Sequence, residues 1–245
     1  MDMSLVKSVT VSALIGLLAT APLSAAEWGY AGKNGPNYWG GKCKTGKSQS
    51  PIDINNTDPA ITHGLKMDYN VAPIAMLNNG HTLQQNYSSG SVLKVGHKSY
   101  ELKQFHIHTP SEHTIMGKTF PMEIHFVHAS TSGNLAVVGV LVEKGDENKA
   151  FNEIMSFLPT KKNGTRSDAG VLINARDLMP HDKSYYRYMG SLTTPPCSEG
   201  VSWYLLKEAV SFSKTQLNAL HRIVKTNNRP FQKRNNRIVL DTVAN

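Results

Sequence analysis

The apolar positions of this chain fall into two rhythms. From about residue 65 to 143 the runs are short, rich in β-branched and aromatic residues, and broken by Gly, Pro, Ser and Asn. Residues 92–101 (with a turn at Gly96 and His97), 102–108, 122–128 and 135–143 read as strands, and 201–206 as another. Two stretches switch to helical spacing. Residues 147–157 carry Phe151, Ile154 and Met155, with Leu158 just beyond. Residues 213–225 open with Ser213-x-x-Gln216, a capping-box signature, and place Leu217, Leu220 and Val224 on one face. Residues 28–46 are rich in Gly, Asn and aromatics without periodicity, and read as irregular chain packed on a core. Many strands and few helices predict a mixed α+β, sheet-dominated fold, mainly antiparallel. No repeat or long linker interrupts residues 27–245, which read as one domain.

The N-terminus has a different pattern. Lys7 precedes an apolar stretch over 9–23, followed by Ser24, Ala25 and Ala26. A basic start, a short apolar run and a small-residue ending describe a cleaved secretory signal peptide over residues 1–26. As a membrane anchor the run is too short, against the roughly 20 residues a span requires, and it contains Ser12, Thr20 and Pro22. No later segment is long and apolar enough to span. The expectation is a periplasmic or secreted protein with no membrane association after cleavage, a monomer or homodimer.

Composition narrows the classes further. With 40% hydrophobic and 18% charged residues the chain is not disordered, and 19 Gly with 12 Pro exclude a collagen-like repeat. The net charge of +8 concentrates partly in Arg222, Lys225, Lys233, Arg234 and Arg237. Aromatics do not interleave with these cations and no nucleic-acid module is present, so they read as a solvated face and no nucleic-acid partner is expected. Two cysteines are too few for a disulfide framework or a thiolate zinc finger. In an oxidising compartment Cys43 and Cys197 are candidate partners, the alternative being two buried thiols. Sequons at Asn55, Asn86 and Asn163 matter only in a eukaryotic secretory pathway.

The ten histidines carry the chemistry. In a strand, side chains alternate faces with period 2. Gln104, His106 and His108 then share one face while Phe105 and Ile107 enter a core on the other. The same rule groups Glu123, His125 and Val127. Three imidazoles on two strand faces are costly to bury without a use. A metal explains them: three neutral histidines suit Zn²⁺ and leave a fourth position for water. Gln104 and Glu123 are placed to accept the other ring N–H of a ligand. The alternative is three ordinary surface or core histidines. His81 follows Asn-Gly in a loop and can take up and release a proton near neutral pH. His113 and His128 read as structural, and His63, His97, His181 and His221 as solvated. No H-E-x-x-H or paired carboxylate base points to a zinc hydrolase of another type.

In order along the chain stand Trp28-Gly29-Tyr30, Gln49-Ser50-Pro51-Ile52-Asp53-Ile54, Asn78-Asn79-Gly80-His81, Gln104-Phe105-His106-Ile107-His108, Ser111-Glu112-His113, Glu123-Ile124-His125, Ser191-Leu192-Thr193-Thr194-Pro195-Pro196, Trp203 and Asn228-Arg229-Pro230. This series resembles the α-class carbonic anhydrases over nearly all of residues 27–245, and the exported, two-cysteine form resembles their bacterial periplasmic branch. The resemblance implies a large, mostly antiparallel, twisted central sheet with a few peripheral helices and a conical cleft with Zn²⁺ at its floor. It implies His106, His108 and His125 as ligands, with Gln104 and Glu123 as their outer acceptors. Thr193 and Glu112 would orient zinc-bound hydroxide for attack on CO2, and His81 would be the proton shuttle. Val127, Val137, Leu192, Val201 and Trp203 would form the apolar wall where CO2 sits, with Thr194 opposite. The implied reaction is reversible hydration of CO2 to bicarbonate and a proton, with a weak side activity on activated esters and inhibition by anions and sulfonamides. Cis prolines would fall at Pro51 and Pro196.

Overall fold

In the computed structural model, which describes residues 27–243, the chain is built on one 13-stranded mixed sheet. The expected signal peptide lies outside the described residues. From one edge the main path of strands runs Thr165–Ile173, Ala72–Asn78, Leu83–Asn86, Lys98–His108, Met122–Ala129, Leu135–Lys144, Glu199–Leu206, Tyr185–Ser191, Leu240–Val243 and Asp58–Ile61. Most pairs are antiparallel. Leu135–Lys144 is parallel to both Glu199–Leu206 and Val210–Phe212, and Leu240–Val243 is parallel to Asp58–Ile61. A separate three-stranded sheet joins Asp53–Ile54, Thr114–Ile115 and Lys118–Thr119.

The two faces of the central strands serve different cores. Phe105, Ile107, Ile124 and Phe126 are fully buried in the larger one. The helices Lys149–Met155 and Lys214–Val224 cover it with Phe151, Ile154 and Leu220. The opposite face carries a smaller core of Ile52, Val137, Tyr188, Val201 and Trp203. This two-sidedness follows from the pleat, since neighbouring residues point to opposite sides.

Several expectations change in detail. The strands expected over 92–101 and 102–108 are Val92–Val95 and one eleven-residue strand, Lys98–His108. The reversal at Gly96, where φ is +57°, is the only turn between them; no turn residue separates Glu101 from Leu102. The first helix is shorter than expected and starts where the Asn148 side chain accepts from the Phe151 N–H. The second keeps its capping box. Gln216 also accepts from the Asn148 N–H at 3.0 Å and donates to the Asn152 side chain at 2.8 Å, so one cap ties two helices together. The irregular reading of 28–46 resolves into the 3₁₀ turns Gly32–Asn34 and Pro36–Tyr38 and the short helix Lys42–Thr45.

Candidate metal centre and cleft

The strands Lys98–His108 and Met122–Ala129 pair in a register that sets His106 opposite His125, His108 opposite Glu123 and Gln104 opposite Val127. Period-2 alternation therefore gathers the three histidines on the face away from the large core. One ring nitrogen from each lies within 4.8 Å of the other two.

Each imidazole is oriented by an acceptor behind it. His106 donates Nδ1–H to Gln104 Oε1 at 2.8 Å, and His108 donates Nδ1–H to the Asn227 carbonyl at 2.8 Å. His125 donates Nε2–H to Glu123 Oε1 at 2.7 Å. These bonds fix the tautomers and leave Nε2, Nε2 and Nδ1 as lone-pair nitrogens. Among the described residues, buried His108 Nε2 has no hydrogen-bond partner. Burial holds His106 well below its ordinary pKa, brings His108 to about 4 and lowers His125. All three are neutral near pH 7. An orphaned, buried, neutral donor nitrogen in an all-imidazole set fits a borderline cation such as Zn²⁺.

Glu123 is an acceptor hub. Its Oε1 also accepts from His113 Nδ1 at 2.7 Å, and its Oε2 accepts the N–H groups of Glu112 and His113 at 2.9 and 2.8 Å. Burial alone would raise its pKa, but the adjoining His113 and His125 rings hold it well below the usual carboxylate range. With Nδ1 committed, His113 Nε2 accepts from the Tyr188 hydroxyl at 2.7 Å, and Tyr188 meets Ser50 Oγ at 2.8 Å. Ser50 in turn exchanges hydrogen bonds with Ser191, at the root of the loop bearing Thr193. The structural reading of His113 thus gains a specific content.

Glu112 is fully buried beside the trio. Its Oε1 accepts the Arg229 N–H at 2.8 Å, while Oε2 has no hydrogen-bond partner among the described residues and lies 3.9 Å from His125 Nδ1. Burial pushes its pKa up to about 7, against the pull of His125, the Arg229 N–H and the Thr193 hydroxyl that faces it. A divalent cation among the histidines would lower that value.

Thr193 and Thr194 sit on the connection between Tyr185–Ser191 and Glu199–Leu206. That connection is closed by Leu192 N–H to Ser198 O at 3.0 Å and Cys197 N–H to Thr194 O at 2.8 Å. The Cys43–Cys197 disulfide forms, and tethers it to the N-terminal segment. The expected cis peptides precede Pro51 and Pro196, and a third, unexpected one precedes Pro110. Val137, Val201 and Trp203 are buried in one cluster, with Val127 and Leu192 partly buried against it. The Trp203 ring stands edge-on 4.9 Å from His125.

His81 enters the same cleft from the turn after Ala72–Asn78, where Asn79 Oδ1 accepts the N–H groups of His81 and Thr82. Its ring stacks on Trp28 at 3.8 Å and 11°. Partial burial, and then Lys162, lower its pKa. With Tyr30, Gln104, His106, His108 and Thr194 it lines a cavity of about 120 Å³.

Asn227 was missed by sequence reasoning. It offers a backbone carbonyl to His108, and a carbonyl leaves no mark in a side-chain pattern; the adjoining Asn228-Arg229-Pro230 was the only signal. Part of the cationic C-terminal region is also not a solvated face. Arg234 donates to the carbonyls of Asn55 and Asn56, and Arg237 to those of Met189 and Lys233.

The family model described as eukaryotic-type carbonic anhydrase matches residues 34–243. A carbonic anhydrase of Neisseria gonorrhoeae is 40% identical over 239 residues, covering 92% of this chain and 94% of that one. The α-carbonic anhydrase of Thermovibrio ammonificans, solved with the inhibitor sulfanilamide, superposes with a TM-score of 0.86 at 40% identity, over 89% of this chain and all of that one. The Photobacterium profundum α-carbonic anhydrase gives 0.84 at 43% identity, over 88% of this chain and all of that one. The chain belongs to the eukaryotic-type, α-class carbonic anhydrases, enzymes whose general reaction is the hydration of CO2.

Proposed function

We propose that the chain is an exported zinc enzyme interconverting CO2 and water with bicarbonate and a proton, with His106, His108 and His125 as the metal's protein ligands. The observation that carries this reading is the buried, unpartnered Nε2 of His108 facing two other neutral imidazoles. Zinc held there supplies Lewis acidity that makes water ionisable near neutral pH, an effect for which carbonic anhydrases are the standard example. Three uncharged ligands leave the cation's charge undiminished, which a carboxylate ligand would not.

The chain's own groups do the rest. Glu112 as carboxylate can only accept, so Thr193 gives it the hydroxyl proton and keeps its oxygen lone pairs for the reacting water. That water then presents a lone pair toward the wall of Val127, Val137, Leu192, Val201 and Trp203, where apolar CO2 loses nothing by leaving bulk solvent. The backbone N–H of Thr193 is available to the product oxygen, and Thr194 bounds the opposite side. His81 takes the proton released in each cycle and passes it to buffer at the cleft mouth. Its depressed pKa favours fast release over retention.

A weak side activity on activated esters, and inhibition by anions and sulfonamides, follow from the same centre. Residues 1–26 act as the export signal, which suits the disulfide. The test is stopped-flow CO2 hydration with metal analysis before and after chelation. Activity is expected to track one zinc per chain and to return on adding zinc back; full activity in metal-free protein overturns the reading.

A further inference from the structure

We propose that the sheet face opposite the histidine trio carries a binding site for a small organic anion with an apolar, aromatic body. Along Tyr185–Ser191, Tyr186 and Tyr188 pack toward the metal-side core, so Tyr185 and Arg187 point the other way. Arg187 is the direct cross-strand neighbour of Tyr204, whose own neighbours Trp203 and Leu205 also face the metal side. On this reverse face lies a cavity of about 470 Å³, well above the 120 Å³ of the cleft at the histidines. Its size falls within the roughly 300–1,000 Å³ of small-molecule sites.

The lining fixes the ligand chemistry. The floor is aromatic, with the Tyr185 and Tyr204 rings edge to face at 5.3 Å and 77°. Ile61 and Val95 add apolar walls. Among the described residues of the lining the charged groups, Lys98 and Arg187, are both cationic. Among the described residues neither cation forms an ion pair. Arg187 is half-buried, with the Tyr204 hydroxyl beside it. A guanidinium drawn partly out of water without an anionic partner is poorly compensated, and a carboxylate or sulfonate meets it with paired hydrogen bonds. Bicarbonate has no apolar body to cover the tyrosines, so the geometry selects a larger anion than the enzyme's own product.

The rim is set in advance. The Tyr185 hydroxyl donates to the His63 carbonyl at 2.8 Å and meets Thr62 Oγ1 at 2.7 Å, holding that segment across the opening. The His63 ring lies on Gly96 so closely that a Cβ there would come within 2.6 Å of it. A preformed rim reduces the ordering cost of binding.

The test uses metal-loaded protein saturated with sulfanilamide, so that anion binding at the metal is blocked. The probes are 2-naphthoate and its neutral isostere 2-naphthamide, followed by calorimetry and by NMR shifts. The expected result is saturable 1:1 binding of the carboxylate with shifts at Tyr185 and Tyr204, and a much weaker amide. Arg187→Ala is expected to weaken naphthoate about ten- to a hundredfold, as for loss of a charge-assisted hydrogen bond, with CO2 hydration unchanged. Lys98→Ala, at an exposed position, weakens it less. Equal binding of acid and amide overturns the proposal, as does affinity indifferent to both substitutions. It is also overturned by a dimer in sedimentation, dissociated by Arg187→Ala, in which a second copy fills the cavity. The shifts at the two tyrosines report this cavity whether or not the zinc reading holds.

Discussion

His108 Nε2 is the atom on which the metal reading turns, because none of the described residues satisfies it. His108→Ala is expected to lose stoichiometric zinc and to reduce CO2 hydration by at least about a hundredfold, measured by metal analysis and stopped flow; retention of both removes His108 from the site. On the opposite face of the neighbouring strand, His128 is a different case. It is fully buried, meets the Tyr69 hydroxyl at 2.5 Å and donates Nδ1–H toward the Ala136 carbonyl at 3.3 Å. Burial lowers its pKa to about 4. The folded state therefore resists protonation that the unfolded chain accepts near pH 6.5. Its stabilising contribution is intact above that pH and is lost as pH falls toward 4, by about 3 kcal/mol. Urea unfolding at pH 7 and 4.5 checks this: the parent is expected to lose about 2–3 kcal/mol more than His128→Gln. At this scale the gathering of His106, His108 and His125 on one face was legible because a strand's period of 2 sorts side chains without any tertiary knowledge. Asn227 was not, because its carbonyl has no residue signature.

Elements become a site through their connections. The Asn227 side chain donates to the carbonyls of His81 and Ile107 at 3.0 and 2.9 Å and accepts the Thr109 N–H at 2.7 Å. One amide thus links the C-terminal coil to the end of the strand Lys98–His108 and to the His81 turn. Asn227→Ala is expected to weaken zinc about ten- to a hundredfold by freeing the carbonyl behind His108, read by chelator competition. Unchanged affinity would show that the backbone holds its place unaided. The helix cap at Ser213 was readable because its signal is local. The strand Thr165–Ile173 was not, because its first six residues are all exposed and show no alternation of burial. Tyr185–Ser191 reads Tyr-Tyr-Arg-Tyr, in which amphipathic side chains blur the two faces.

Across the molecule, distant segments converge on the Thr193 connection and Glu112. Cys43 and Cys197 are 154 residues apart in sequence. Arg229 spans the same region, donating to Gln49 Oε1, the Ser50 carbonyl and the Cys43 carbonyl at 2.7–2.9 Å, while its N–H holds Glu112. A loop of that length makes the bridge worth up to about 5 kcal/mol in the chain-entropy account. The Cys43→Ser/Cys197→Ser double variant is expected to unfold earlier in urea and to lose kcat while keeping its zinc. Loss of zinc in proportion to activity would instead implicate the histidines. A sheet-dominated, mostly antiparallel fold was legible from composition and turn spacing. The parallel pairing of Asp58–Ile61 with Leu240–Val243 was not, since nothing local in either strand names a partner at the other end of the chain.

The strands that carry the three histidines are interior members of the sheet: Lys98–His108 lies between Leu83–Asn86 and Met122–Ala129, and the latter is bounded in turn by Leu135–Lys144. No sheet edge opens onto the three histidines from behind, so an agent sequestering the proposed zinc is expected to come through the cleft lined by His81 and Thr194. A slim dicarboxylate able to enter that cleft is expected to strip the proposed zinc from intact protein in minutes. A bulky polyaminocarboxylate must wait for whole-molecule opening, and its extraction rate becomes a timer for denaturation itself.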